Sequence, residues 1–132
     1  MVTDPLGDLL IRLKNAQAVR KEVVRMPSSR LKLEVLGVLK EEGFIQEVEP
    51  IEGKVQSFLE VSLRFLSRFR GAIQGATRVS KPGRRVYMGS EELKKWIGKR
   101  SGVWVLSTSR GILTHNRALE QKVGGEVLLH IW

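Results

Sequence analysis

Cysteine is absent from this 132-residue sequence. That excludes disulfide staples and cysteine-ligated zinc, and it suits a reducing compartment. No apolar run approaches the ~20 residues of a membrane-spanning helix. The start, Met-Val-Thr-Asp-Pro-Leu, has no basic segment leading into an apolar block, so no signal peptide is expected. Histidine occurs only twice, and the apolar share is ordinary for a soluble protein, so a real core can form. Acidic residues are scarce, but only in one half. Residues 1–66 hold ten Lys and Arg against ten Asp and Glu, whereas residues 67–132 hold thirteen against four. The formal excess of +9 thus lies wholly in the second half. Concentrated this way, it reads as an electrostatic footprint for a polyanion, nucleic acid or an anionic membrane surface.

The length fits one domain or two small subdomains. Asp4 can cap a first helix with Pro5 at its first position, and Leu6, Leu9, Leu10, Leu13 and Ala16 recur at helical spacing. Residues 21–26 read as a short strand. Pro27-Ser28-Ser29 breaks it and caps a second helix, expected to bury Leu31, Val35, Val38 and Leu39 and to stop at Gly43. Residues 44–49 read as a strand and residues 50–56 as a charged turn. Residues 58–65 form a strand with Leu59, Val61, Leu63 and Phe65 on one face. The fold class is therefore α+β. An N-terminal α-β-α-β-β two-layer unit (1–66) is followed by a linker (67–76) with two glycines and no single period. A C-terminal, mostly β subdomain with short helices (77–132) completes the chain.

In that second subdomain Lys81-Pro82-Gly83-Arg84 is a type II turn, with Pro and Gly at the central positions, joining strands 77–80 and 85–88. Ser90 is expected to cap a short helix ending near Trp96. Residues 103–114 form a hairpin, Val-Trp-Val-Leu-Ser-Thr-Ser-Arg-Gly-Ile-Leu-Thr, bending at Arg110-Gly111. Gly111 supplies the positive φ of a three-residue loop with a bulge. Thr114 or Asn116 caps a last helix ended by Gly124, and residues 126–132 form the terminal strand.

Turn chemistry does not require the run Ser107-Thr108-Ser109. A hydroxyl is donor and acceptor on a short arm, suited to a base edge, a 2′-OH or a phosphate; the plainer reading is a solvated serine-rich turn. Lys81, Arg84 and Arg85 offer phosphate contacts, or a merely solvated turn. Tyr87 can stack on a base or sit half-buried in the sheet. Trp96, beside Lys94 and Lys95, is better read as core than as a platform. Glu126 orients hydroxyls, accepting from Ser107, Ser109 or a backbone N–H, or simply faces water.

Three second-half segments in order and spacing resemble the bacterial small-subunit ribosomal protein eight family. They are Arg78-Val79-Ser80-Lys81-Pro82-Gly83-Arg84-Arg85-Val86-Tyr87, Leu106-Ser107-Thr108-Ser109-Arg110-Gly111-Ile112-Leu113-Thr114, and Gly124-Gly125-Glu126-Val127. Thr3-Asp4-Pro5-Leu6 with Arg12 and Asn15, Met26-Pro27-Ser28-Ser29, and Lys40-Glu41-Glu42-Gly43-Phe44-Ile45 are similar too. The sequence departs from the family at Ser101-Gly102-Val103-Trp104, at Thr114-His115 and in the terminal strand.

The resemblance implies a two-domain protein of the small ribosomal subunit that binds the central domain of its RNA. Neighbouring ribosomal proteins are further partners, and its own messenger RNA is an additional ligand. It also implies a cytoplasmic or organellar location and a monomer in isolation. Ser107, Thr108 and Ser109, with Arg110, would meet an irregular RNA helix, supported by Gly125 and Glu126. Lys81, Pro82, Gly83, Arg84, Arg85 and Tyr87 would hold the backbone around it. Thr3, Asp4, Pro5, Arg12, Asn15, Ser28, Ser29 and Lys32 would add secondary contacts.

Catalysis is not expected. His115 lies near Ser107 and Ser109 in sequence, but there are no paired carboxylates in the second half. Nor is there a Gly-x-Ser-x-Gly elbow or a phosphate-cradling loop ending in Lys-Ser/Thr. No cofactor or metal site is read. The rival reading is a basic adaptor for a protein partner or an anionic membrane.

Overall fold

The expected leucine stripe forms the first element of the computed structural model, which describes residues 4–132. Helix α1 (Pro5–Ala18) buries Leu6, Leu9, Leu10, Leu13 and Ala16. Its end is a Schellman turn: Arg20 N–H donates to Gln17 O (3.0 Å) and Lys21 N–H to Ala16 O (2.9 Å). Arg20 takes the left-handed position, φ +60, usually given to glycine. Strand β1 (Val23–Pro27) follows, then α2 (Arg30–Glu41), capped by Ser29, whose Oγ accepts from Lys32 N–H at 3.1 Å.

The buried stripe of α2 is Lys32, Val35, Leu36 and Leu39, not the expected set with Leu31 and Val38. Leu31 is 38% exposed. A lysine on the apolar stripe disguised its phase: the stem is buried while Nζ reaches Pro27 O at 3.3 Å. Strands β2 (Ile45–Ile51) and β3 (Phe58–Leu63) complete an antiparallel sheet of order β1-β3-β2. β2 runs past the expected stop at Glu49 because it is an edge strand, where Pro50 costs no ladder bond. β4 (Phe65–Ser67) and β5 (Arg70–Gly71) form a separate two-stranded ribbon. Phe65 thus leaves the buried face of β3 expected for it.

The second part comprises β6 (Ala76–Arg78), β7 (Tyr87–Met88), α3 (Ser90–Ile97), β8 (Val103–Thr108), β9 (Gly111–Thr114), α4 (His115–Glu120) and β10 (Gly125–Ile131). The sheet order is β6-β10-β8-β9, with β7 pairing the other end of β10. Leu106, Leu113 and Val127 share a core with Leu93 and Ile97 of α3 and Ala118 of α4. Two expected helix ends differ, and the expected Thr114 cap holds. Gly89, not Ser90, is the N-cap of α3 and makes no side-chain bond. Thr114 caps α4, accepting from Arg117 N–H at 3.3 Å. The turn out of α4 is made by Lys122 at φ +56 rather than by Gly124. Gly124 instead lies so close to Met88 O that a Cβ would collide with it.

The chain divides into two compact units, Pro5–Gln74 and Gly75–Trp132, the second including Asp4. The fold class is α+β, with the α-β-α-β-β order in the first unit. Within residues 67–76, read from sequence as a linker, Ser67, Arg70 and Gly71 are paired in the ribbon. Arg68 and Arg70 therefore belong to the first unit. That unit carries twelve Lys and Arg against nine Asp and Glu, a balance of +3, and the second eleven against five, a balance of +6. A third of the excess thus lies in the first unit, which the division at residue 66 had left neutral.

Candidate nucleic-acid interface

Four strands bring the hydroxyl tip together with the terminal strand. Ser107 pairs with Ile112 on β9 and with Glu126 on β10, and Glu126 pairs in turn with Tyr87 on β7. Residues in register share a face, about 5 Å apart from strand to strand. Ser107, Glu126 and Tyr87 therefore form a row on the face opposite Leu106, Val127 and Met88, which pack toward the helices. The next row is Gly111, Thr108, Gly125 and Met88. A Cβ on Gly125 would strike the Ser107 carbonyl oxygen, so this glycine lets the two strands close at the tip.

The three hydroxyls are not equivalent. Thr108 Oγ1 donates to Gly111 O (2.9 Å) and accepts from Arg110 N–H (3.1 Å), so it builds the turn. Ser109 is exposed and Ser107 half-buried, and neither hydroxyl bonds to any of the described residues. Thr108 pairs directly with Gly111, so the loop is the two residues Ser109-Arg110 without the expected bulge; Gly111 still has φ +103, and Arg110 is exposed beside it.

Glu126 does not orient Ser107 or Ser109, as expected from sequence. Its Oε2 accepts from Ser80 Oγ (2.5 Å) and from an Arg85 guanidinium N–H (3.3 Å). Ser80, fully buried, also accepts from Val86 N–H at 3.2 Å, so this hydroxyl ties together both arms of the basic turn. The turn itself is closed by reciprocal Lys81–Arg84 backbone bonds (3.0 and 2.9 Å), with Gly83 at φ +84 as a type II turn demands. It is joined only by an isolated bridge rather than by two full strands. Lys81 and Arg84 are exposed, Pro82 is half-buried, and no carboxylate among the described residues pairs with either cation. Sequence reasoning missed Ser80; its signal was a hydroxyl directly before a Lys-Pro-Gly turn.

Tyr87 is 67% exposed, so its ring is open for stacking rather than half-buried. Trp96 packs edge-on against Trp104 (6.0 Å, 71°) on the core, as the filler reading had it. Arg78 is spent: its guanidinium holds the Asp4 carboxylate (3.0 Å) and donates to Leu128 O. His115 is buried with Nδ1 accepting from Trp104 N–H (3.2 Å), and His130 stacks on the Trp104 ring (3.9 Å, 3°). His130 Nε2 also lies 3.0 Å from Ser101 O, and neither imidazole meets the hydroxyl of Ser107 or Ser109. No group of three or more His, Cys, Asp or Glu among the described residues could hold a metal ion.

Of the secondary positions, Thr3 lies outside the described residues. Pro5, Arg12, Asn15 and Ser28 are exposed. Arg12 pairs with Asp8 at 2.8 Å. Ser29 is engaged in capping, and buried Lys32 is turned onto Pro27 O. Arg12 and Asn15 line an open groove of about 600 Å³ that also includes Lys21, Val23 and Arg25.

The family model described as Ribosomal protein S8 matches residues 4–132. The chain belongs to the ribosomal protein S8 family. Among relatives, the small ribosomal subunit protein uS8 of Halothermothrix orenii is 44% identical over 131 residues, covering 99% of this chain and 98% of that protein. The protein of the same name from Exiguobacterium sibiricum is 45% identical over 132 residues, covering 100% and 99%. That from Thermodesulfovibrio yellowstonii is 41% identical over 132 residues, covering all of both chains. The S8 family is one of structural ribosomal proteins rather than enzymes. No helix among the described residues is long and apolar enough to cross a membrane.

Proposed function

We propose that this chain is a structural constituent of the small ribosomal subunit, acting in the cytoplasm and binding the central domain of small-subunit ribosomal RNA directly. The observation that carries this reading is the pair of unengaged hydroxyls, Ser107 and Ser109, at the end of a sheet whose neighbouring turn exposes Lys81 and Arg84. Hydroxyls without protein partners at a rigid strand end can read a groove edge or a 2′-OH, while the cations supply sequence-independent attraction. Glu126 acts indirectly: by holding Ser80 and Arg85 it fixes the basic turn beside the hydroxyl row.

Any RNA that presents the same irregular helix would fit the same surface, its own messenger included. Competition between a messenger fragment and the ribosomal fragment tests that extension. Hydroxyl-radical footprinting of the isolated protein on small-subunit ribosomal RNA tests the main reading. The expected result is one compact protected patch that a Ser107→Ala/Ser109→Ala double variant loses or weakens. Protection identical in wild type and double variant would sink the role given to these hydroxyls.

A further inference from the structure

The first unit has its own unexplained surface, which shares no residue with the hydroxyl row. Phe69, at the tip of the β4–β5 ribbon, is 85% exposed, and Leu66 on the same ribbon is 53% exposed. The guanidinium carbon of Arg20 lies 5.8 Å from the Phe69 ring centroid and 5.3 Å from that of Phe65. That of Arg68 lies 5.5 Å from the Phe69 centroid. Arg70 completes the group, and none of the three arginines forms an ion pair with a described residue.

The ribbon is also anchored. The Gln17 side-chain amide donates to Ile73 O (2.6 Å) and accepts from Ile73 N–H (3.1 Å), fixing the exit of β5 to α1. Gly71 passes so close to Gln17 that a Cβ would overlap that side chain.

We propose that this ribbon is a second RNA contact, in which Phe69 stacks on an unpaired base and Arg20, Arg68 and Arg70 hold the phosphates beside it. The inference rests on the RNA-binding reading above and extends it to a single-stranded segment. Three observations carry it. An exposed phenylalanine gains nothing in water, whereas aromatic faces ringed by arginine are how bases are stacked without sequence preference. The unpaired cations commit the ribbon to a polyanion rather than to an apolar protein face. Arg20 occupies a left-handed backbone position that glycine would fill without strain, so its side chain is kept at a conformational cost.

Lys122 sits in the same backbone state at the end of α4, makes no cation–π contact with a described residue, and serves as the control. The test uses the full chain and two probes: a single-stranded oligouridylate carrying one 2-aminopurine, and a central-domain fragment of small-subunit ribosomal RNA. Wild type should quench the 2-aminopurine on binding. Phe69→Ala should abolish the quench and weaken oligonucleotide binding about 5- to 160-fold, while Phe69→Trp keeps both. Arg20→Gly should weaken the same probe without lowering the melting temperature, and Lys122→Gly should leave affinity unchanged. Ser107→Ala/Ser109→Ala should act on the fragment and not on the oligonucleotide.

Undiminished quench and affinity in Phe69→Ala would overturn the ribbon contact while leaving the main RNA reading intact, provided the fragment still binds. Wild type binding neither probe would overturn both. Wild-type RNA affinity in Phe69→Ala, with exclusion from reconstituted subunits, would also overturn it and assign the ribbon to a neighbouring protein.

Discussion

Two glycines at the hydroxyl tip are needed for different reasons, and alanine separates them. At Gly111 there is open space for a Cβ, but φ is +103, so Gly111→Ala carries only backbone strain, about 1–2 kcal/mol. At Gly125 no positive φ is involved; the obstacle is the Ser107 carbonyl and the Thr108 Cα. Gly125→Ala must therefore push β8 and β10 apart, costing about 1–3 kcal/mol and moving the strand that carries Ser107. Urea denaturation should find both variants destabilised, and RNA affinity should fall more for Gly125→Ala. Equal affinity losses would mean that the close approach at Gly125 does not position the tip. Ser80 gives a second case. Replacing Glu126 with alanine leaves this fully buried hydroxyl without its acceptor, a penalty of about 1–3 kcal/mol, whereas Glu126→Gln retains one. The alanine variant should be clearly the less stable of the two.

Between elements, the tie from α2 to β2 is electrostatic. The Lys40 ammonium donates to Glu47 Oε1 at 2.7 Å, and Val48 N–H donates to the same oxygen at 3.1 Å. These bonds, the Lys40 one foremost, hold the Glu47 carboxyl below the ordinary glutamate range. Because the folded value is depressed, its contribution to stability is present above the unfolded value and disappears as pH falls through the folded one. Carboxyl NMR titration should show Glu47 moving up in Lys40→Ala; an unchanged titration would remove Lys40 as the cause. This link was illegible in the sequence, since it joins a helix end to a strand across a turn. Other features were plain there. The α1 stripe, the β3 alternation, the Pro82-Gly83 turn and the Gly111 bend each depend on local periodicity or one residue's backbone preference. What failed was non-local or disguised. Lys32 on an apolar stripe shifted the apparent face of α2, and Gly124 looked like a helix stop when a lysine had that role. The Glu126 partner came from 46 residues away. At the candidate site, residue types were readable, but which hydroxyl is spent on the turn was not.

In the proposed RNA surface, charge and hydroxyls divide the work across the whole molecule, and salt separates them. Each phosphate neutralised by Lys or Arg releases condensed counterions, so log affinity falls with log salt by about 0.7–0.9 for each such phosphate. Hydroxyl contacts release none. Lys81→Gln and Arg84→Gln should therefore each flatten the salt slope on the ribosomal fragment by about that amount and weaken many RNAs alike. Ser107→Ala or Ser109→Ala should cost about 1–3 kcal/mol on that fragment with its slope unchanged, by analogy with the removal of base-edge hydrogen bonds. The first unit's share of the excess charge, +3, makes the prediction sharper. If only the second unit meets RNA, Arg68→Gln/Arg70→Gln leaves every slope as it was. If the ribbon holds single-stranded phosphates, the oligonucleotide slope flattens by about 0.7 for each phosphate no longer neutralised, and the hydroxyl variants do not touch it. Equal slope changes for the cation and hydroxyl variants would contradict a surface in which affinity and shape recognition reside in different side chains.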